Sequence, residues 1–187
     1  MTKDCVSRRP DVVTVELVGG TEKRPLELVV YDDSWPVIFQ DHQRRLRKVL
    51  GTTGLEVEHI GSTSVPGLAA KPIVDILVTV GDITAEEDYL APLLSVGYEL
   101  RVREPGHRLV RTSARDVHIH ILQRGDEAID RYVLFRNRLR ADAADRSLYE
   151  AMKSALLAEG FDDMNAYADA KTEVIAAIIA RALASGA

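Results

Sequence analysis

The chain has almost no cysteine: one, Cys5, in 187 residues. One cysteine closes no intrachain disulfide and builds no thiolate zinc site, so a reducing compartment is the expectation. The N-terminus, Met1-Thr2-Lys3-Asp4, lacks the apolar run of a signal peptide. The longest apolar stretch near the C-terminus, Val174 to Ile179, is too short for a bilayer. Cytoplasmic location without membrane association is therefore expected. Neither sign of charge dominates: 24 Lys+Arg against 29 Asp+Glu leave a net charge of −5. A dedicated nucleic-acid-binding module has a strongly basic face, which this balance disfavours. Internal repeats, low-complexity segments, a Walker-type loop and a dinucleotide Gly-x-Gly-x-x-Gly are all missing.

What is present reads as globular. A hydrophobic fraction of 46% and a charged fraction of 28% are ordinary for a folded domain. The length fits one domain, on a soft prior of about 150 residues each. Val13, Val15 and Leu17, then Leu26, Leu28 and Val30, alternate around Gly19-Gly20 and predict an N-terminal hairpin. Ser34-Trp35-Pro36 starts a helix, with Ser34 as cap, that Gly51 ends. Leu55 to Ile60 is strand-like, and Ile73 to Val80 reads as a strand buried on both faces. A helix over Ile83 to Val96, with Thr84 as its cap, leads to strands at Tyr98–Val102, Arg108–Thr112 and Val117–Leu122. Three helices follow: one capped by Asp126, one over about 144–158, and one from near Asp162 through Tyr167 and Ile179. The element order suggests an α+β (mixed α/β) fold class with a C-terminal helical layer. Residues 1–27 form an extension, about 28–125 the sheet part and about 126–184 the helical part.

The chemistry concentrates in His59-Ile60-Gly61-Ser62-Thr63-Ser64 and the strand bearing Asp75. Glycine lets a ligand approach the backbone, and Ser and Thr hydroxyls suit a phosphate or carboxylate. Gly61, Ser62, Thr63 and Ser64 are therefore candidate phosphate or nucleotide ligands, with Lys71 as counter-charge. Asp75, alone among apolar residues, is costly to bury unless it meets a metal, a cation or a hydrogen-bond donor. The plainer alternative is an ordinary turn and a satisfied structural carboxylate. His118 and His120 alternate on one strand, so both imidazoles project from the same face. With Asp75 they form a two-histidine, one-carboxylate set for a divalent metal or for acid–base work, and His59 is a candidate to join it. Half-buried histidines bonded to the sheet surroundings are the alternative. A histidine-triad enzyme needs a third alternating His, and Asp116 and Leu122 occupy both positions. Arg131, Arg136, Arg138 and Arg140, and the pairs Tyr149/Lys153 and Tyr167/Lys171, mark either solvated helix faces or cations that reach the phosphate site.

Tyr31-Asp32-Asp33-Ser34-Trp35-Pro36-x-x-Phe39, the block from His59 to Asp75, His118-x-His120 and the Tyr-x-x-x-Lys pairs strongly resemble the GrpB family of small bacterial proteins, also known as UPF0157. The resemblance covers about residues 28 to 180 and implies a nucleotidyltransferase-like fold, a short mixed sheet flanked by helices. In that superfamily a Gly-Ser pair opens a short helix over the triphosphate, and carboxylates on the following strands hold Mg²⁺ for in-line attack. Gly61 and Ser62 match the pair, and Asp75 matches the first carboxylate. Leu77 stands where a second carboxylate belongs, and His118 and His120 replace a later acid. The resemblance thus implies a phosphorylated ligand such as a nucleotide, and a divalent metal (Mg, Mn or Zn) at Asp75, His118, His120 and His59. Fusions of some members to dephospho-CoA kinase point the same way. The reaction implied is nucleotidyl or phosphoryl transfer with Asp75, His118 and His120 as catalytic groups. A non-catalytic nucleotide or CoA sensor, an accessory domain and a purely structural interaction module are the alternatives.

Overall fold

The apolar run Val74–Val80 becomes an inner strand of a six-stranded mixed sheet. The structure, a computed structural model, describes residues 7–20, 27–159 and 171–185. Its strands are β1 (Glu16–Leu17), β2 (Gly54–Ile60), β3 (Val74–Val80), β4 (Tyr98–Glu104), β5 (His107–Thr112) and β6 (Val117–Gln123). They lie in the order β1-β4-β5-β6-β3-β2, with β3 and β6 parallel and the other neighbours antiparallel. The described helices are α1 (Ser34–Leu50), α2 (Glu86–Ser95), α3 (Glu127–Ala141), α4 (Ala143–Glu159) and α5 (Thr172–Ala184), with a 3₁₀ turn at Ser62–Ser64.

Period-two alternation splits the sheet into two faces. Ile76 and Val78 of β3, Ile119 and Ile121 of β6 and Val57 of β2 face α1 and α2, forming the main core with Trp35, Leu46, Tyr89 and Leu93. On the other face, Ile60, Leu77 and Leu122 pack under Ile129 and Tyr132 of α3. A third cluster, Val65, Leu68, Phe135, Leu139, Tyr149 and Ile178, fastens the loop after the 3₁₀ turn to α3, α4 and α5. Among the described residues, no helix is long and apolar enough to cross a membrane.

Several local expectations are corrected. Glu16 and Leu17 pair with Arg103 and Val102 of β4, whereas Val29 forms a bridge with Ala70. Among the described residues, then, the two N-terminal segments pair with other parts of the sheet and not with each other; Leu26 lies outside those residues. Ser34 is the first helical residue rather than the cap, and its N–H donates to Asp32 Oδ1 at 2.8 Å. Thr84 lies ahead of α2 in a turn around Asp82, donating its N–H to Asp82 Oδ1 at 2.9 Å and its hydroxyl to the same oxygen at 2.7 Å. These local bonds compete with helix entry, so α2 begins two residues later. Asp126 caps α3 by accepting from Ala128 N at 2.8 Å. The expected helix start near Asp162, with Tyr167, and the cysteine Cys5 lie outside the described residues.

Candidate functional site

Register places the chemistry. Asp75 stands beside His118 and Leu77 beside His120 across the parallel β3–β6 pair. Ile60 opposes Asp75 across β2–β3. Asp75, His118 and His120 therefore share the sheet face that α3 covers, while the one-residue offset sends His59, opposite Ile76, to the other face. There His59 is buried, stacks on Phe39 of α1 at 4.8 Å and 12°, and shares a 3.1 Å hydrogen bond with Thr63 Oγ1. Burial, with the charges of Arg140 and Arg136, pushes its pKa down to about 4 against the opposing pull of Asp75. A neutral core imidazole results, not a fourth member of the cluster.

Gly61 ends β2 with φ +69°, and a Cβ there would lie 2.5 Å from Asp75 Oδ2. Only glycine permits both this backbone conformation and the close approach to the carboxylate. The following 3₁₀ turn divides the candidate phosphate ligands. Ser62 lines a cavity of about 360 Å³. Thr63 and Ser64 are buried elsewhere: Thr63 binds His59, and Ser64 Oγ donates to Gly61 O at 2.6 Å. Their hydroxyls shape the turn.

Three ammonium groups converge on the cavity: Lys71, Lys153 of α4 and Lys171 beside α5. Lys153 is 2% exposed, donates to Ala69 O, lies 3.4 Å from Ser62 Oγ and sits over the Tyr149 ring at 4.9 Å. Burial and the neighbouring Lys171 lower Lys153 to about 8. Burial and the charges of Lys171 and Lys153 lower Lys71 to about 7, although Asp75 opposes them. Burial also lowers Lys171. Cations crowded into a recess favour an opposite charge beside them. A second recess of about 390 Å³ shares Gly61, Ser62, Asp75, Tyr132 and Lys171 with the first and adds Arg131, Phe135 and Tyr149. Other arginines of α3 act as braces. Arg136 Nη1 donates to His59 O at 2.9 Å and to Glu58 at 2.7 Å, and Arg140 donates twice to Ser64 O, at 3.0 and 2.8 Å. Arg138 pairs with Asp142 and Asp145. Of the cations offered for the phosphate site, Lys71, Lys153, Lys171 and Arg131 line the two recesses, whereas Arg136, Arg138 and Arg140 are engaged as braces.

Asp75 Oδ1 lies 3.5 Å from His120 Nε2 and 3.8 Å from His118 Nδ1. Burial would raise the Asp75 pKa, but His120, His118 and Lys171 outweigh it and hold the carboxyl below its ordinary value. Behind His120 stands a residue the sequence reading missed. His107 Nε2 is 3.2 Å from His120 Nδ1, their rings stack at 5.3 Å and 15°, and His107 Nδ1 is 2.6 Å from Glu104 Oε1. In sequence His107 falls between the strands expected at Tyr98–Val102 and Arg108–Thr112, where no pattern singles it out. What could have exposed His107 is the antiparallel register of two adjacent strands, which brings it next to His120.

The described residues do not fit a pair of Mg²⁺ ions. Mg²⁺ takes oxygen ligands, yet among the described residues Asp75 is the one carboxylate beside His118 and His120, and Leu77 packs against Ile60 and Leu122. Among the described residues, no three His, Cys, Asp or Glu side chains are placed to hold one metal ion together. The site offers cations for an anionic ligand, one recessed carboxylate and imidazoles for proton transfer.

Residues 25–181 match the family model described as GrpB protein. A UPF0157 protein of Streptomyces coelicolor is 59% identical over 182 residues, covering 97% of each chain. A protein named dephospho-CoA kinase, from Mycolicibacterium paratuberculosis, is 30% identical over 178 residues, covering 80% of this chain and 44% of that one. The crystal structure of conserved protein GrpB from Enterococcus faecalis superimposes with a TM-score of 0.75 at 33% identity, covering 85% of this chain and 98% of that chain.

Proposed function

Taking as premise that the chain belongs to the GrpB family, we propose that its cavity binds a phosphorylated small molecule, a nucleotide, with the phosphates against Lys71, Lys153 and Lys171. The observation that carries this reading is the convergence of three lysines on one recess beside Ser62. Two of them are held at about 7 and about 8. Bringing them together costs free energy in the empty site, and a phosphate recovers it. The order of strand, Gly61-Ser62 turn and adjacent Asp75-bearing strand is the one the nucleotidyltransferase resemblance implies.

The reaction we assign to this site is transfer of a phosphoryl or nucleotidyl group. An acceptor hydroxyl loses its proton to His120 Nε2, and its oxygen forms the new P–O bond. The old P–O bond breaks, and the leaving oxygen keeps the electron pair. Asp75 faces the imidazolium so formed at 3.5 Å and stabilises it. A second reading, a nucleotide or CoA sensor that turns nothing over, is favoured by Leu77 at the second carboxylate position.

A thermal-shift series with ATP, GTP, CTP, UTP, CoA and pyrophosphate, each with and without Mg²⁺, Mn²⁺ or Zn²⁺, tests the binding. At least one phosphorylated probe should raise Tm in the wild type, because any ligand preferring the folded state must do so. Lys153→Met should weaken that probe by about tenfold or more, as expected for a lost charge-assisted contact of about 1.4 kcal/mol. A flat response across the whole phosphate series overturns the reading. Binding without turnover of any nucleoside triphosphate selects the sensor.

A further inference from the structure

We propose that the Glu104–His107 pair fixes His120 in its Nδ1–H tautomer, so that the His120 Nε2 lone pair faces the cavity as the site's proton acceptor. The argument is a proton count. Glu104, His107, His120 and Asp75 form a row with three gaps: 2.6 Å from Glu104 Oε1 to His107 Nδ1, 3.2 Å from His107 Nε2 to His120 Nδ1, and 3.5 Å from His120 Nε2 to Asp75 Oδ1. Each gap needs one proton to become a hydrogen bond. Two neutral imidazoles carry two protons between them, so one gap stays empty. A carboxylate only accepts, and at 2.6 Å Glu104 must receive the His107 Nδ1 proton. His107 Nε2 is then an acceptor and must take the His120 Nδ1 proton. The empty gap is the longest, at Asp75, beyond the range of a good N–H···O bond. The opposite arrangement would satisfy that long contact by setting two lone pairs against each other at 2.6 Å.

Burial and the adjacent His120 lower the pKa of His107 despite Glu104, which supports a neutral His107. Among the described residues, the groups facing the row are Asp75 from β3, His118 from β6, Tyr132 of α3 (5.7 Å from the His120 ring), Lys71 and Lys171 on the Asp75 side, and Arg108, next to His107 in sequence. A third proton entering at His120 Nε2 completes the row: Asp75 then has its donor, and the positive charge lies between two carboxylates. Glu104 and His107 are positioning residues. They set which nitrogen is free and touch no ligand themselves.

The assignment rests on the proposed function only in taking the cavity as the reaction site, and it is tested without turnover. Long-range ¹H–¹⁵N correlation spectra of the ¹⁵N-labelled full chain at about pH 8, above the ordinary histidine range, report the tautomer of each neutral imidazole; comparison with His120→Gln assigns the His120 signals. Wild-type His120 should be the Nδ1–H form. In Glu104→Gln the amide can donate to His107 Nδ1, which reverses the row. In His107→Phe the stacking persists but the acceptor is lost. Both variants should shift His120 to the Nε2–H form that donates to Asp75, and Glu104→Asp should retain the wild-type pattern. An Nε2–H tautomer in the wild type, or an unchanged His120 in both disrupting variants, overturns the proposal. If the phosphorylated probes fail to raise Tm while the tautomer shifts as expected, the functional reading falls and the tautomer control stands.

Discussion

Among individual residues, the lysines give the most direct handle on pH. Lys71 sits at about 7 and Lys153 at about 8, against an ordinary 10.5. Between those values and 10.5 the unfolded chain holds more protons than the folded one, so these two groups add stability as pH rises through that window. A bound phosphate reverses the preference, because it favours the charged amines. At about pH 8 ligand binding should therefore take up protons, and affinity should fall as pH climbs further. Titration calorimetry of the probe that raises Tm, repeated in buffers of different ionisation enthalpy, should yield a net proton uptake on binding. Zero uptake would mean the phosphates lie away from Lys71 and Lys153. The residue types were legible: Gly61, Ser62, Lys71, Asp75, His118 and His120 all face one recess. His59 was misplaced because its neighbourhood in sequence was read as neighbourhood in space, although a strand offset by one residue changes faces. Lys153 and Lys171 stood between a solvated helix face and the phosphate site, since nothing local shows that two helical segments deliver them to one cavity.

At the level of elements, one carboxylate ties the three helices of the helical layer together beside their apolar cluster. Asp145 of α4 is 5% exposed and accepts from Arg138 of α3 at 2.6 Å and from Arg181 of α5 at 2.9 and 2.5 Å. These arginines keep its carboxyl below the usual range. Asp145→Ala leaves two cations facing each other, and with Arg181 partly solvated the cost should be about 1–3 kcal/mol. Urea unfolding should show a lower midpoint at unchanged slope; a midpoint equal to wild type would reduce the clamp to surface decoration. The long elements were readable because period and punctuation agreed: β3, α1, β6 and α4 fall within a residue or two of expectation. Pairing partners were not readable. Gly19-Gly20 marks a turn but says nothing of which strand Leu17 will join, and the open edge of β4 was the competing partner.

In the molecule as a whole, the segment ahead of the family match has a defined task. Arg108 is 1% exposed, and its guanidinium binds Glu86 at 2.7 Å, Glu104 O at 2.7 Å and Asp11. Asp11 Oδ2 also accepts from Gly106 N at 2.6 Å, in the turn between Glu104 and His107. The match to the family model begins at residue 25, so a chain trimmed to that boundary would lose Asp11 and β1 while keeping Asp75, His118 and His120. Such a chain should unfold at a lower temperature, because removing Asp11 takes one of the carboxylates from a buried guanidinium, a loss of about 2–4 kcal/mol. Differential scanning calorimetry measures it, and an unchanged Tm would show that Glu86 alone suffices. The practical consequence concerns comparison across relatives. Two proteins with the same pocket residues but different leaders need not hold the β4–β5 turn with the same stiffness, so a boundary drawn by sequence similarity is not a boundary of mechanical support.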